Sequence, residues 1–268
     1  MTRRRGRGVP LLVVLLGLVA VGFFALPLLG LLFQVEWGSL WGNLTSKPAT
    51  DAIKLSLECS LWSTALALLF GVPLAFVLAR VPFPGKAFVR ALVILPMVLP
   101  PVVGGVALLY AFGRTNGLAG PWIYDTLGWQ FTFSKSGVVL AETFVAMPFL
   151  VITVEAGLRG MDRRYEDAAA TLGAGTVTVF RRVTVPLIMP SLLAGAALAW
   201  ARALGEFGAT ITFAGNIQGR TQTTPLAVYL FLESNQQLAI ALSLLLLAVS
   251  ITVLVLLRDR WFGNLRGA

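Results

Sequence analysis

Long apolar runs, separated by short polar stretches, follow one another along the whole chain. A helix needs about 20 apolar residues to cross the hydrocarbon core of a bilayer. Windows of this length predict six membrane-spanning helices, at residues 9–33, 53–79, 89–112, 137–158, 187–214 and 238–257. Because no polar stretch between them is long enough for a soluble domain, we predict a single all-α membrane domain.

The basic residues are unequally divided between the two sides that these six helices define. If the N-terminus is cytoplasmic, the outer side holds only Lys47, Lys54, Arg114, Lys135 and Arg220. Most of the 21 Lys and Arg residues then lie on the inner side: Arg3, Arg4, Arg5, Arg7, Arg80, Lys86, Arg90, Arg159, Arg163, Arg164, Arg181, Arg182, Arg258, Arg260 and Arg266. Cytoplasmic loops are enriched in Lys and Arg. We therefore predict a basic cytoplasmic N-terminus at 1–8, a cytoplasmic tail at 258–268, and a net charge of +9 that reflects topology more than nucleic-acid binding.

The first apolar run follows a basic start, as it does in a secretory signal. It is too long for the apolar region of a signal peptide, and no convincing small-residue cleavage site follows it. We expect residues 9–33 to be retained as the first membrane helix.

Composition excludes most enzyme classes. The chain is 57% hydrophobic and 12% charged, whereas about a quarter of the residues of an ordinary soluble domain are charged. It has no His and one Cys, Cys59, so a His general base, a Cys/His metal cage and an internal disulfide are excluded. The phosphate-binding pattern G-x-x-x-x-G-K-[ST] is also absent. We assign no catalytic residue, no metal ligand and no cofactor to this chain.

The third predicted span contains several residues that interrupt helices. Pro96, Pro100 and Pro101 each lack a backbone donor, and Gly104 and Gly105 follow them closely. A break at membrane depth can line a cavity, or it can be a kink that only packs against neighbouring helices. The sequence leaves both possibilities open.

The longest inner loop, residues 159–186, is far more polar than its surroundings. Asp162 suits an N-cap, Glu166 and Asp167 suit the first turn of a helix, and Gly173 suits its end. A second short helical stretch is predicted at 176–182. This segment is either a docking surface for a partner or an interfacial helix that binds anionic lipid through Arg163, Arg164, Arg181 and Arg182.

The loop also carries a spaced pattern: E-A-A, three residues, G, nine residues, I-x-L-P. Asp167, Ala168 and Ala169 take the E-A-A positions, with Glu166 adjacent, and Gly173 takes the glycine position. The I, L and P positions are taken by Val183, Val185 and Pro186. In this pattern the chain resembles the permease subunits of bacterial ABC importers, which carry an "EAA" loop. The substitutions, Asp for Glu and Val for Ile and Leu, are conservative.

The resemblance implies a type I ABC importer permease fold, with a core at 52–257. It implies that the loop helix at 166–173 docks into a separate ATPase subunit, which binds the ATP and Mg, so that this chain is not itself an enzyme. The expected assembly is a homodimer in a bacterial or archaeal cytoplasmic membrane, with two ATPase subunits and an extracytoplasmic binding protein, and no nucleic acid.

Residues 201–229 carry a narrower resemblance. The runs ALGEFGAT, FAGN and GRTQT look like the corresponding region of molybdate permeases. Sulfate and thiosulfate permeases diverge here, whereas tungstate permeases are close relatives. The resemblance implies molybdate as the substrate, with tungstate or sulfate/thiosulfate as the alternatives.

Within this region, Arg202 and Glu206 stand four apart in a predicted membrane helix, with Thr210 one turn further on. Charged residues at membrane depth usually face a bundle interior or a water-filled path. They form either a structural ion pair or part of the translocation path or its gate. Weaker donors follow at the outer end of this span: Thr212, Asn216, Gln218, Arg220 and Thr221.

Two other classes of protein compete with the importer hypothesis. An ion-gradient-driven secondary anion transporter would use buried carboxylates, for which Glu58, Glu142 and Glu206 are the candidates, and often has inverted repeats. No convincing repeat is present, and the EAA spacing would then have no explanation. A membrane-embedded enzyme would need a catalytic motif that the sequence lacks.

Overall fold

The computed structural model describes residues 10–262, and the described residues form helices joined by short turns, with no β-strand. We number the helices α1 (Leu11–Phe33), α2 (Trp37–Thr45), α3 (Lys47–Arg80), α4 (Lys86–Val98), α5 (Pro101–Phe112), α6 (Gly120–Leu127), α7 (Lys135–Gly160), α8 (Arg164–Thr171), α9 (Thr176–Leu204), α10 (Gly208–Phe213), α11 (Thr224–Ser234) and α12 (Gln236–Phe262). The predicted basic segment 1–8 lies outside the described residues. So do residues 263–268 of the predicted tail, whose first residues continue α12.

The predicted all-α architecture with six spans is confirmed. Five of the described helices, α1, α3, α7, α9 and α12, are long and apolar enough to cross a membrane. The pair α4 and α5, bent by 120° at a short break, supplies a sixth apolar segment. The described helices that the sequence did not predict, α2, α6 and α11, have 9, 8 and 11 residues, too few for a spanning window.

The third span is a broken helix. Pro100 and Pro101 cannot donate backbone hydrogen bonds, and Leu99, which precedes them, is extended with ψ 135°. At about 1.5 Å per residue, α4 and α5 are each about 20 Å long or less, too short to cross alone. Arg90 in α4 pairs with Glu155 near the end of α7, whereas Phe112 in α5 stacks on Phe131, just before α7 begins. The pair therefore runs from one end of α7 to the other.

The fifth span departs from the prediction at both ends. Helix α9 begins at Thr176, so the predicted helical stretch 176–182 is its first part and the polar loop is shorter than 159–186. A π-helical turn, Phe180–Thr184, lies within it, just before Pro186. A Pro cannot donate to the residue four before it, and a π-turn is one way for a helix to accommodate this gap. The prediction of one helix over 187–214 is wrong, because α9 ends at Leu204 and α10 begins at Gly208.

Helix α7 is at the centre of the bundle and packs against α3, α4, α9 and α10. Its residues Leu150, Val154 and Leu158 are buried against small residues of neighbouring helices, such as Ala75 in α3 and Ala199 in α9. Small side chains allow membrane helices to approach closely. Helix α1 has no buried residue, and its apolar side chains are exposed around its whole circumference.

Candidate functional site

Helix α8 is built by local signals at both of its ends. The Asp162 carboxylate accepts a hydrogen bond from the Arg164 N–H at 3.0 Å, although the helix itself begins one residue later than an Asp162 N-cap would place it. At the other end, Gly173 adopts φ +85°, its N–H donates to the Ala170 carbonyl, and the Ala174 N–H donates to the Ala169 carbonyl. This pair of bonds is the Schellman motif. The predicted helix therefore forms and ends at the predicted glycine.

The outer face of α8 carries an apolar stripe. Tyr165 is 59% exposed and Leu172, just after the helix, is 88% exposed, with the exposed Ala168 between them. Residues three and four apart share one face of a helix. Asp167 is also exposed. The exposed side of α8 thus offers aromatic and aliphatic surface beside a carboxylate.

Glu166, in contrast, faces the helix bundle. Its Oε2 lies 3.2 Å from Nη2 of Arg80, the last residue of α3, and its Oε1 accepts a hydrogen bond from the Thr184 hydroxyl at 2.6 Å. Thr184 is buried, and the Glu166 side chain is 19% exposed. The two adjacent acidic residues therefore point in different directions, which sequence spacing alone did not reveal.

The remaining residues of the EAA pattern lie in α8 and in the first half of α9. Ala169, Val183 and Val185 are half-buried, while Pro186 is exposed. Pro186 follows the π-helical turn within α9, and this turn accommodates the backbone hydrogen bond that Pro186 cannot donate. The second half of the pattern thus forms the entrance of a membrane helix.

A second ion-pair cluster lies at the same end of the bundle. Glu155 in α7 is buried, and its Oε1 accepts from Arg159 Nε at 3.0 Å and from Arg90 of α4. Arg159 also reaches the Leu78 carbonyl of α3 at 3.5 Å. The four-residue spacing of Glu155 and Arg159 could have been identified in the sequence, whereas the partner Arg90 could not. The cluster ties three helices together where the predicted inner basic residues converge.

Arg202 and Glu206 form an ion pair, with Nη2 and Oε2 2.7 Å apart. Glu206 is 1% exposed, and its other oxygen accepts the Ala209 N–H at 2.8 Å, which caps the start of α10. The Arg202 side chain is 29% exposed. Both Glu206 oxygens therefore have partners within the protein. Of this pair, only the Arg202 side chain is partly exposed. A path or gate role for the pair stays a prediction.

Thr210 lies deeper in the same region. Its side chain is fully buried, and its hydroxyl has no hydrogen-bond partner among the described residues. Buried polar groups are usually hydrogen-bonded, so an unpartnered one calls for an explanation. Close packing of α5 against α10 holds this region together, because a Cβ on Gly208 would lie only 2.6 Å from the Pro101 Cβ.

The predicted weaker donors have divided roles. Thr221 is fully buried and accepts the Ile217 N–H at 2.9 Å, so its hydroxyl stabilises the turn before α11, while Thr212 donates to a carbonyl within α10. Gln218 and Arg220 are exposed. Asn216 is hydrogen-bonded to Gln222, a buried residue that sequence reasoning missed. Only the exposed members remain available to a ligand in this conformation.

Of the carboxylates named for a gradient-driven transporter, Glu142 and Glu206 are buried, whereas Glu58 is exposed. Glu58 pairs with Lys135 at 2.9 Å, and Glu206 pairs with Arg202. Glu142 is buried, and its Oε2 has no hydrogen-bond partner among the side chains and backbone that the structure describes. The described residues contain no group of three His, Cys, Asp or Glu side chains that could hold a metal ion.

Comparison with known proteins places this architecture among transport proteins. Residues 71–265 match the family model described as "Binding-protein-dependent transport system inner membrane component". The chain is 48% identical over 221 residues to the molybdenum transport system permease protein ModB of Mycobacterium tuberculosis, covering 82% of this chain and 83% of that protein. It is 36% identical over 204 residues to the sulfate transport system permease protein CysT of Salmonella typhimurium, covering 75% and 72%.

A solved structure has the same fold. A bacterial alginate ABC transporter, in complex with a periplasmic protein bound to an alginate pentasaccharide, superposes with a TM-score of 0.69 at 19% identity. The superposition covers 91% of this chain and 91% of the matched chain.

Proposed function

The chain belongs to the family of binding-protein-dependent transport system inner membrane components, and we propose that it is the permease subunit of an ATP-driven molybdate importer. The observation that carries the substrate assignment is the higher identity to a molybdenum permease than to a sulfate permease, over most of both chains. Tungstate, which resembles molybdate in size and charge, is the alternative substrate, and sulfate or thiosulfate is a weaker one.

In this proposal, a separate ATPase subunit binds ATP and Mg and receives helix α8. The exposed stripe of Tyr165, Ala168 and Leu172 suits a groove with apolar walls, and Asp167 beside it suits a basic residue at the rim. Since each chain offers one α8, two copies of the chain would engage a pair of ATPase subunits around a two-fold axis. An extracytoplasmic binding protein would deliver the oxyanion to the opposite face.

The transport cycle would be alternating access. Short turns join α8 to α7 and to α9, so a displacement of α8 is passed directly to two membrane helices. Closure of the ATPase pair would bring the two α8 helices together and open the permease outward, and hydrolysis would return it inward. Arg202 and Thr210 are the residues that we propose for the anion path, because one has a partly exposed guanidinium and the other an unpartnered hydroxyl.

The first test of the proposal is the protein composition of the extracted complex. The tagged chain is extracted gently from its native membrane, and the proteins that accompany it are identified and counted by mass spectrometry. We expect two copies of the chain with two ATPase subunits. Reproducible recovery of the chain without any ATPase would contradict the importer proposal.

Uptake then tests the substrate and the energy source. Cells that express the chain with its ATPase and binding protein should accumulate labelled molybdate, with tungstate competing and sulfate competing poorly. A stronger effect of sulfate would reassign the substrate. Uptake that stops when the ion gradient is collapsed, while ATP remains, would instead support the gradient-driven transporter.

A further inference from the structure

The coupling helix α8 contacts a third membrane helix to which the chain does not directly connect it. Sequence connects α8 to α7 through residues 161–163 and to α9 through residues 172–175. Helix α3 ends at Arg80, and the chain then continues into α4. Arg80 nevertheless lies against Glu166 of α8. The contact therefore provides a physical connection that chain continuity does not.

The Glu166 carboxylate forms the centre of this junction. One oxygen lies 3.2 Å from the Arg80 guanidinium at the end of α3, and the other accepts a hydrogen bond from the Thr184 hydroxyl, 2.6 Å away, in the π-helical turn of α9. The Arg80 side chain is only 11% exposed. Its Nε and Nη2 have no hydrogen-bond partner among the described residues, so the contact of Nη2 with Glu166 is an ion pair without hydrogen-bond geometry. Removal of either partner would leave a shielded charge uncompensated, which is costly.

Packing strengthens the same junction. Phe76, one turn before Arg80, meets Phe180 of α9 edge to face, with ring centroids 5.4 Å apart. A cavity of about 250 Å³ beside the ion pair is lined in part by Asp167 and Thr176. The end of α3, the first turn of α8 and the first part of α9 thus meet around one carboxylate, with a cavity beside it.

We propose that the Arg80–Glu166 ion pair transmits the movement of α8 to α3, so that three membrane helices move with the coupling helix. The inference rests on the proposed function, since it assumes that an ATPase moves α8. Glu166 is then a positioning residue that faces the permease, and its neighbour Asp167 is the carboxylate that faces the ATPase. Because α3 packs along α7, a displacement at Arg80 reaches the bundle centre.

The test uses the complete complex reconstituted in liposomes, with the ATPase and the loaded binding protein. Two quantities are measured: ATP hydrolysis and molybdate transported per ATP. We expect Glu166→Gln and Arg80→Gln to lower the transport ratio by about tenfold, a change within the range of coupling energies carried by such networks. ATPase association and hydrolysis should persist in both variants.

Glu58→Gln is the control for position. It also removes an ion pair between α3 and another helix, 2.9 Å from Lys135 at the start of α7, although this pair is about half exposed and the Arg80–Glu166 pair is shielded. We expect this variant to keep the normal transport ratio. Equal losses in Glu58→Gln and Glu166→Gln would show that general loosening of α3, rather than transmission from α8, causes the effect, and would overturn the proposal.

Charge reversal provides the decisive comparison. The double variant Arg80→Glu/Glu166→Arg should recover transport per ATP relative to either single reversal. Arg80→Lys, which keeps the charge, should retain most of the molybdate transported per ATP. If the double variant fails to assemble, loss of transport per ATP in Arg80→Lys equal to that in Arg80→Gln would contradict the proposal. A normal ratio in Arg80→Gln, or loss of the ATPase from Glu166→Gln, would overturn the proposal. A wild-type complex without an ATPase or without molybdate uptake would instead contradict the proposed function.

Discussion

Substitution of Gly173 tests whether the proposed ATPase partner requires the helix end that this residue forms. The residue has φ +85°, and a Cβ added to it would meet nothing within 4 Å. Replacing it with Ala therefore creates no clash within the chain and acts through the backbone alone. A left-handed conformation costs an L-residue with a Cβ about 1–2 kcal/mol, whereas Asn adopts it more readily.

That free energy converts into a measurable loss of binding. We assume that the ATPase recognises α8 only when the helix ends in the Schellman motif. A cost of about 1–2 kcal/mol for the left-handed backbone then lowers the fraction of chains with this helix end about 5- to 30-fold. We expect Gly173→Ala to weaken ATPase binding by this factor and Gly173→Asn to weaken it much less. Gly173→Arg, which adds bulk at the exposed end of the helix, should weaken it most.

The assay is a titration of the permease in nanodiscs with purified ATPase, followed by uptake measurements on the same variants. Gly175→Ala is the control, because Gly175 has φ −67° and ψ 159°, which any residue adopts, and its Cβ would also meet nothing. Normal binding and uptake in Gly173→Arg would refute the coupling-helix assignment. Equal losses in Gly173→Ala and Gly173→Asn would refute the conformational argument and indicate close contact of the ATPase with this residue.

Three further predictions concern the membrane interior. Arg202→Ala should impair molybdate uptake without detaching the ATPase, and unimpaired uptake would leave the Arg202–Glu206 pair a purely structural role. Thr210→Val removes an unpartnered buried hydroxyl, so the melting temperature of the complex should stay the same or rise, while lower uptake would place the hydroxyl on the path. Gly208→Ala would bring a Cβ to 2.6 Å from the Pro101 Cβ and should destabilise the complex by about 1–3 kcal/mol, measured by thermal unfolding; an unchanged midpoint would contradict close packing of α5 on α10.

Several features of this protein are local, and the sequence therefore predicted them well. The apolar spans depend on hydropathy over consecutive residues, and six were identified, although the third is broken and the fifth ends early. The start of α8 near Asp162 and its end at Gly173 depend on a carboxylate and a left-handed backbone within a few positions. The i, i+4 spacing of Arg202 and Glu206 likewise indicated that the two side chains could form an ion pair.

Other features needed the packed bundle. Hydropathy windows continue across a break when both halves are apolar, so the turn at 205–207 could not be distinguished from helix. The partner that each carboxylate finds depends on its neighbours in space: Glu166 contacts Arg80 of α3 and Thr184 of α9, whereas the adjacent Asp167 is exposed.

The sequence by itself thus determined the membrane class, the number of apolar segments and the position of helix α8. The tertiary structure alone decided which charges from different helices meet. Arg90 and Glu155 are 65 positions apart, and Lys135 and Glu58 are 77 positions apart. A charged side chain within or near a membrane must find a partner, but the packing of the helices selects which one it finds.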